Sequence, residues 1–144
     1  STQLQSSAAS DVYKRQSLMA RKTRAQQKSS NRVQPILSKI RGTESSDTIM
    51  ELLENALRDS EMDAPIPGRA YSYSYYAKTP NLLYDQYPIT VVNSVYDWGF
   101  VGYNLHLKMV RQYNWDQCAT KFYELRTPEV QTALTLPLKY LVQN

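Results

Sequence analysis

The fold class this sequence predicts is α+β: a small, curled antiparallel sheet, SH3-like and partly open as a barrel, carrying one helix before it and two after it. Three observations carry that expectation. Between Gly68 and His106, apolar and aromatic residues recur with a period of two, which puts alternate side chains on opposite faces of a strand. Between Thr48 and Leu57 they recur at the spacing of a helical stripe. Pro and Gly punctuate the intervals, as they do between short strands.

The chain has 144 residues, the length of one domain, and 42% apolar residues suffice for one modest core. It divides into residues 1–18, 19–45 and 46–144. The string from Ser7 to Gln16 resembles translated sequencing-adapter read-through of the kind found at the ends of metagenomic reading frames, and Met19-Ala20-Arg21-Lys22 reads as an ordinary start. Residues 1–18 are therefore expected to be foreign and are left out of fold reasoning. Residues 19–45 form a basic arm: Arg21, Lys22, Arg24, Lys28, Arg32, Lys39 and Arg41 occur before any acid. From Gly42 onward eight Lys or Arg face twelve Asp or Glu, so the net charge of +4 combines a basic arm with a mildly acidic body. Gln26, Gln27, Ser29, Ser30 and Asn31 add polarity without core residues, and the arm is expected to be disordered when free. Val33, Ile36, Leu37 and Ile40 sit at helical spacing, which predicts a short helix after Pro35.

Thr48 and Glu51 have capping-box spacing, and Ile49, Leu52, Leu53, Ala56 and Leu57 form the stripe of the first helix of the body. Its polar face, with Glu51, Glu54, Asp59 and Glu61, is acidic. An anionic membrane repels such a face, so the stripe is expected to cover the sheet. Pro65-Ile66-Pro67-Gly68 stiffens the entry to the first strand, where Tyr71, Tyr73 and Tyr75 fall on one side and Ala70, Ser72 and Ser74 on the other. Ile89 to Val92 is a second strand, Asp97-Trp98-Gly99 a turn, and Gly99 to Leu107 a third strand. Gly102, mid-strand, marks a bulge or the close approach of another backbone. Asn114 to Gln117 predicts a helix start, with Trp115, Cys118, Ala119 and Phe122 on its apolar side. Thr127-Pro128-Glu129 predicts another, with Val130, Ala133 and Leu134 apolar and Pro137 as its stop. Leu138 to Leu141 reads as a short tail that packs on the body or on a neighbour.

Gly68-x-x-Tyr71-x-Tyr73-x-Tyr75, a loop with Lys78, Leu83-Tyr84-Asp85-x-x-Pro88 and Gly99-Phe100-x-Gly102-x-Asn104-Leu105-His106 follow one another at short spacing. In this order they resemble small virion or structural proteins of T4-type tailed phages, especially marine, cyanophage-like ones. The resemblance spans the middle third of the chain. After His106 the resembled proteins continue Tyr-Leu-Pro, whereas this chain has Leu107-Lys108-Met109. The resemblance implies a minor structural or assembly protein of the phage particle, found in the virion and, during assembly, in the host cytoplasm. It implies other virion proteins as partners and structural roles for the motif residues.

The residues themselves point to no reaction. His106 is the single histidine, expected to be a satisfied, semi-buried side chain at a strand end rather than a zinc ligand. The lone Cys118 excludes an internal disulfide framework, fits a reducing cytoplasm, and sits at an apolar position suited to inert packing. Asp85 is expected to cap a turn by accepting backbone N–H bonds. Gly99-x-x-Gly102 lacks the Lys and Ser or Thr of a phosphate-cradling loop. The acids form no nuclease-like cluster, and no cofactor, small-molecule substrate or membrane partner is implied; a nuclease or hydrolase would need divalent-metal-dependent activity. Among the twelve tyrosines, Tyr76, Tyr84 and Tyr87 are expected to be partly exposed, where tyrosine suits protein interfaces. Base stacking would use the same residues, but only Arg69 and Lys78 flank them. The alternative function is a head or neck protein whose basic arm contacts packaged DNA or DNA ends without reading sequence.

Overall fold

The structure is a computed structural model, and it describes residues 30–144. The adapter-like segment and Arg21, Lys22, Arg24 and Lys28 of the arm lie outside the described residues. Asn31–Asn144 form one compact unit. It is α+β: three helices, α1 (Gln34–Lys39), α2 (Ser46–Ala56) and α3 (Thr127–Thr135), accompany a mostly antiparallel sheet. The strands are β1 (Glu61–Met62), β2 (Ala70–Ser72), β3 (Leu83–Asp85), β4 (Ile89–Val95), β5 (Gly99–Asn104), β6 (Met109–Asn114), β7 (Phe122–Leu125) and β8 (Leu141–Gln143). Six of them pair in the order β1-β7-β2-β4-β5-β6, and β3 pairs with β8 in a separate ribbon.

The alternation of the tyrosine run sorts the interior into two layers. Tyr71, Tyr73 and Tyr75 enter an aromatic cluster with Tyr84, Phe100, Tyr113 and Phe122 on one face of the sheet. Ala70 belongs to the other cluster, where Ile49, Met50, Leu53 and Leu57 of the α2 stripe meet Ile89, Leu125 and Leu138. Ser72 is buried there and donates to the Met50 sulfur at 3.7 Å. The stripe thus covers the sheet as its spacing predicts. Its cap lies one turn earlier than expected: Ser45, not Thr48, is the N-cap and accepts from the Thr48 N–H. A serine in extended conformation before the first turn satisfies an orphan amide better than a threonine already inside the helix.

The boundary at residue 45 is corrected. Val33 and Ile36 are buried in the helix-side cluster, so the chain from Asn31 is part of the compact unit and not of an arm. The short helix after Pro35 forms, with Pro in its first turn. What holds it is Arg32. Its backbone N–H and Nε donate to Glu129 Oε2 at 2.7 and 2.8 Å, and one terminal nitrogen donates to Oε1 at 2.8 Å. The other terminal nitrogen reaches Asp59 at 2.7 Å. Burial alone would raise the fully buried Glu129 carboxyl, but these bonds and the Arg126 N–H outweigh it and hold the carboxyl below its usual range.

Two further expectations change. The third strand stops at Asn104 instead of running to Leu107. The Asn104 side chain accepts from the Leu107 N–H, Lys108 takes φ +57°, and the chain turns back into β6. The first of the two expected C-terminal helices is absent: Trp115–Gln117 is a single 3₁₀ turn and Phe122–Leu125 is β7, inserted between β1 and β2. Phe122 faces the aromatic cluster while Tyr123 and Leu125 face the helices. The expected stripe of Trp115, Cys118, Ala119 and Phe122 is shared between the 3₁₀ turn, the segment after it and the first residue of β7, so its helical spacing reflects no helix. The helices therefore number two before the sheet and one after it. Gly102 behaves as expected: a Cβ there would collide with the Thr90 side chain and lie 2.9 Å from the Val91 carbonyl oxygen, and β4 bulges between Val92 and Ser94.

Candidate functional site

Asp85, Asn104 and His106 converge on one buried polar chain beside the aromatic cluster. β3 delivers Asp85 at its end, and β5 delivers Asn104 at its end. The turn after β5 then aims His106 back at Asp85. Asp85 Oδ1 accepts from the Tyr87 N–H at 3.2 Å and the Tyr140 N–H at 3.4 Å, the turn-capping role expected of it. Its Oδ2 lies 2.7 Å from His106 Nδ1 and 3.3 Å from Asn104 Nδ2. The Asn104 amide also donates to the Tyr113 hydroxyl at 3.1 Å. Deeper in, the Tyr73 and Thr90 hydroxyls share a bond of 2.9 Å. Burial pushes the Tyr73 and Tyr113 phenols above the usual tyrosine range, so both keep their protons and serve the chain as hydroxyls.

A carboxylate only accepts, so the His106 Nδ1–H is the donor to Asp85. The His106 side chain is only 4% exposed, and Nε2 has no hydrogen-bond partner among the described residues. His106 is therefore half satisfied, and it lies in the turn just past the end of β5. Among the described residues it makes no hydrogen bond to a hydroxyl or thiol. Cys118 donates to the Asn114 carbonyl, and burial, helped by Asp116, pushes its thiol up to about 12. Such a thiol is no thiolate at neutral pH. Among the described residues no three His, Cys, Asp or Glu side chains come together to hold a metal ion. No helix among them is long and apolar enough to cross a membrane.

The remaining pattern residues have structural places. Gly68 takes φ +89°, a backbone that side chains avoid. Pro88 is buried ahead of β4, and Phe100 is fully buried. At Gly99 a Cβ would collide with the Tyr113 carbonyl oxygen, so β5 and β6 approach only because no side chain is there. Tyr84 and Tyr87 are buried, contrary to their expected partial exposure; Tyr76 is exposed. Ring packing on Tyr75 and Tyr140 and the hydroxyl's bond from Gln86 account for this burial. Of the described basic residues of the arm, Lys39 and Arg41 are exposed, but Arg32 is bound to Glu129 and Asp59 and is not open to phosphate or to an acidic partner.

The exposed aromatics that sequence reasoning passed over sit at the β4–β5 hairpin. Tyr96 and Trp98 are 48% and 43% exposed and stack with centroids 5.3 Å apart and planes 5° apart. The Trp115 indole N–H donates to the Tyr96 carbonyl at 3.0 Å, and the Trp115 backbone N–H to the Trp98 carbonyl at 3.2 Å. Asp97 stands between them in sequence. The signal was present as Tyr-Asp-Trp, but a turn reading assigns no direction to its rings. The chain matches no family model, no curated protein and no solved structure.

Proposed function

We propose that this chain is a minor structural or assembly protein of a tailed-phage particle, related to the T4-type virion proteins whose sequence pattern it resembles, and acting through protein–protein contacts. The observation that supports this reading best is the hairpin tip. Two large rings are presented to solvent in one fixed stack, tied down by Trp115, so docking them costs little conformational entropy. The sheet edge offers a second contact. Among the described residues β6 has no strand on its outer side, and Val110 on it is 57% exposed. In this reading the protein is made in the host cytoplasm and resides in the virion, and the curled sheet is an SH3-like, partly open barrel. The β4 bulge and the close approach at Gly102 support that curvature.

The basic stretch favours one other reading, a head or neck protein that contacts packaged DNA. With Arg32 engaged internally, six basic residues of the arm remain, which limits the log–log salt slope of duplex binding to about −5. The two readings part in one experiment. Antibody against the chain should label purified particles of the encoding phage, and a Tyr96→Ala, Trp98→Ala double variant should fail to incorporate while remaining folded. Absence of the wild-type chain from particles defeats the structural reading. Incorporation that is indifferent to the tip, together with steeply salt-dependent DNA retention, shifts the assignment to the DNA-contacting one.

A further inference from the structure

A pocket of about 200 Å³ opens beside the start of α2, lined by Ser45, Ser46, Asp47, Gln86, Tyr87 and Tyr140. Sites for drug-sized ligands run from ~300 to ~1,000 Å³, so this one has room for a single small ring. Its aromatic wall is the Tyr87–Tyr140 pair, with centroids 6.2 Å apart and planes tilted by 39°. The polar groups around that wall are of both kinds. Gln86 spends its N–H groups on the Tyr76 and Tyr87 hydroxyls, which leaves its amide oxygen to accept. Among the described residues Asp47 makes no ion pair, and its carboxylate accepts as well. The Tyr140 hydroxyl can do either. Ser46 and Asp47 are the first residues of α2, where backbone N–H groups have no carbonyl partner in the helix and can donate.

We propose that this pocket binds a neutral, hydroxyl-bearing ring: one pyranose unit of a glycan. Charge decides against the other ligand classes. A cation would be drawn to Asp47 but repelled by the positive end of α2; an anion would be drawn to the helix end but repelled by Asp47. A pyranose meets neither penalty. Its hydroxyls satisfy acceptors and donors together, and its C–H face lies against a tyrosine ring. The site is separate from the hairpin tip and from β6, so it stands independently of the assembly reading.

The test is ligand-observed saturation-transfer NMR on the full chain with a panel of methyl pyranosides, including N-acetylated and uronic-acid forms. Arginine methyl ester and inorganic phosphate serve as charged probes. At least one neutral pyranoside should show transfer at millimolar concentration. Asp47→Asn and Tyr140→Ala should each weaken it by about tenfold, the loss of one charge-assisted bond or of one wall. Tyr140→Phe keeps the wall and should weaken it less. Both positions are at the surface of the pocket, and unchanged circular dichroism checks that the variants fold. Transfer to arginine ester or phosphate with none to any neutral pyranoside overturns the proposal. So does pyranoside binding that ignores both Asp47 and Tyr140.

Discussion

The two faces of the sheet are closed by different chemistry. Toward the helices the core is aliphatic: Ile49, Leu53 and Leu57 of the α2 stripe against Ile89, Leu125 and Leu138. The fully buried charge on that side is Glu129, held by Arg32, which also reaches Asp59. The opposite face is closed by rings, with Tyr73 at its centre making edge-to-face contacts with Phe100 and Tyr113 at 5.6 and 5.5 Å. Here the polar atoms run through the core, from the Tyr73 and Thr90 hydroxyls to the Asn104, Asp85 and His106 side chains. Aliphatic side chains are fungible as long as volume is conserved. A ring layer with hydroxyls and a buried carboxylate is not, because each member must keep its bond. The difference predicts that volume governs one face and hydrogen bonding the other.

The harshest way to break both faces together is at the strand contact they share. Gly99→Ala should cost about 4 kcal/mol or more in urea unfolding, since its Cβ has only backbone to push against. A loss below about 1 kcal/mol would mean that β5 and β6 can separate freely. Next comes the charged cluster of the helix side. Glu129→Gln leaves Arg32 without its buried counter-charge and should cost roughly 3 kcal/mol or more. The pH dependence has a definite sign. The folded carboxyl lies below its unfolded value of about 4.3, so its contribution is complete above that value and is lost as pH falls through the folded one. Wild type should lose more stability than Glu129→Gln on acidification through that range, and parallel acid curves would refute the assignment.

The faces themselves are compared by a matched pair. Leu53→Ala removes volume from the aliphatic core and should cost about 3 kcal/mol. Tyr73→Phe removes only a hydroxyl from the ring layer, yet leaves Thr90 short of a partner, and should cost about 1 kcal/mol. Double-variant cycles sharpen the contrast: Tyr73→Phe should be non-additive with Thr90→Val, while Leu53→Ala should add to both. Additivity throughout would mean that the polar chain is a row of separate bonds. The smallest effect is kinetic. With its thiol pushed up to about 12, folded Cys118 should react with iodoacetamide at pH 8.5 many times more slowly than the urea-unfolded chain. Equal rates would place it in water.

Local periodicity determined much of this fold. The α2 stripe, the two-sided tyrosine strand, the Asp97 turn and the α3 start all arise from spacings within a dozen residues, where backbone geometry alone decides which side chains share a face. The glycine at 102 announced a crowded backbone for the same reason: it is a residue with no side chain where a strand ordinarily has one. What tertiary structure decided was pairing across distance. β7 pairs between β1 and β2, where the sequence stripe of Trp115, Cys118, Ala119 and Phe122 suggests a helix. Val33 and Arg32 joined the body because a buried Glu129 lies 97 residues away to receive them. Asp85 met His106 because β3 and β5 end side by side, and Tyr113 joined them through β6, a strand that no turn residue announced, since Lys108 supplies the left-handed turn usually left to glycine. Composition states which side chains can bond; only the register of strands far apart in sequence states which of them do.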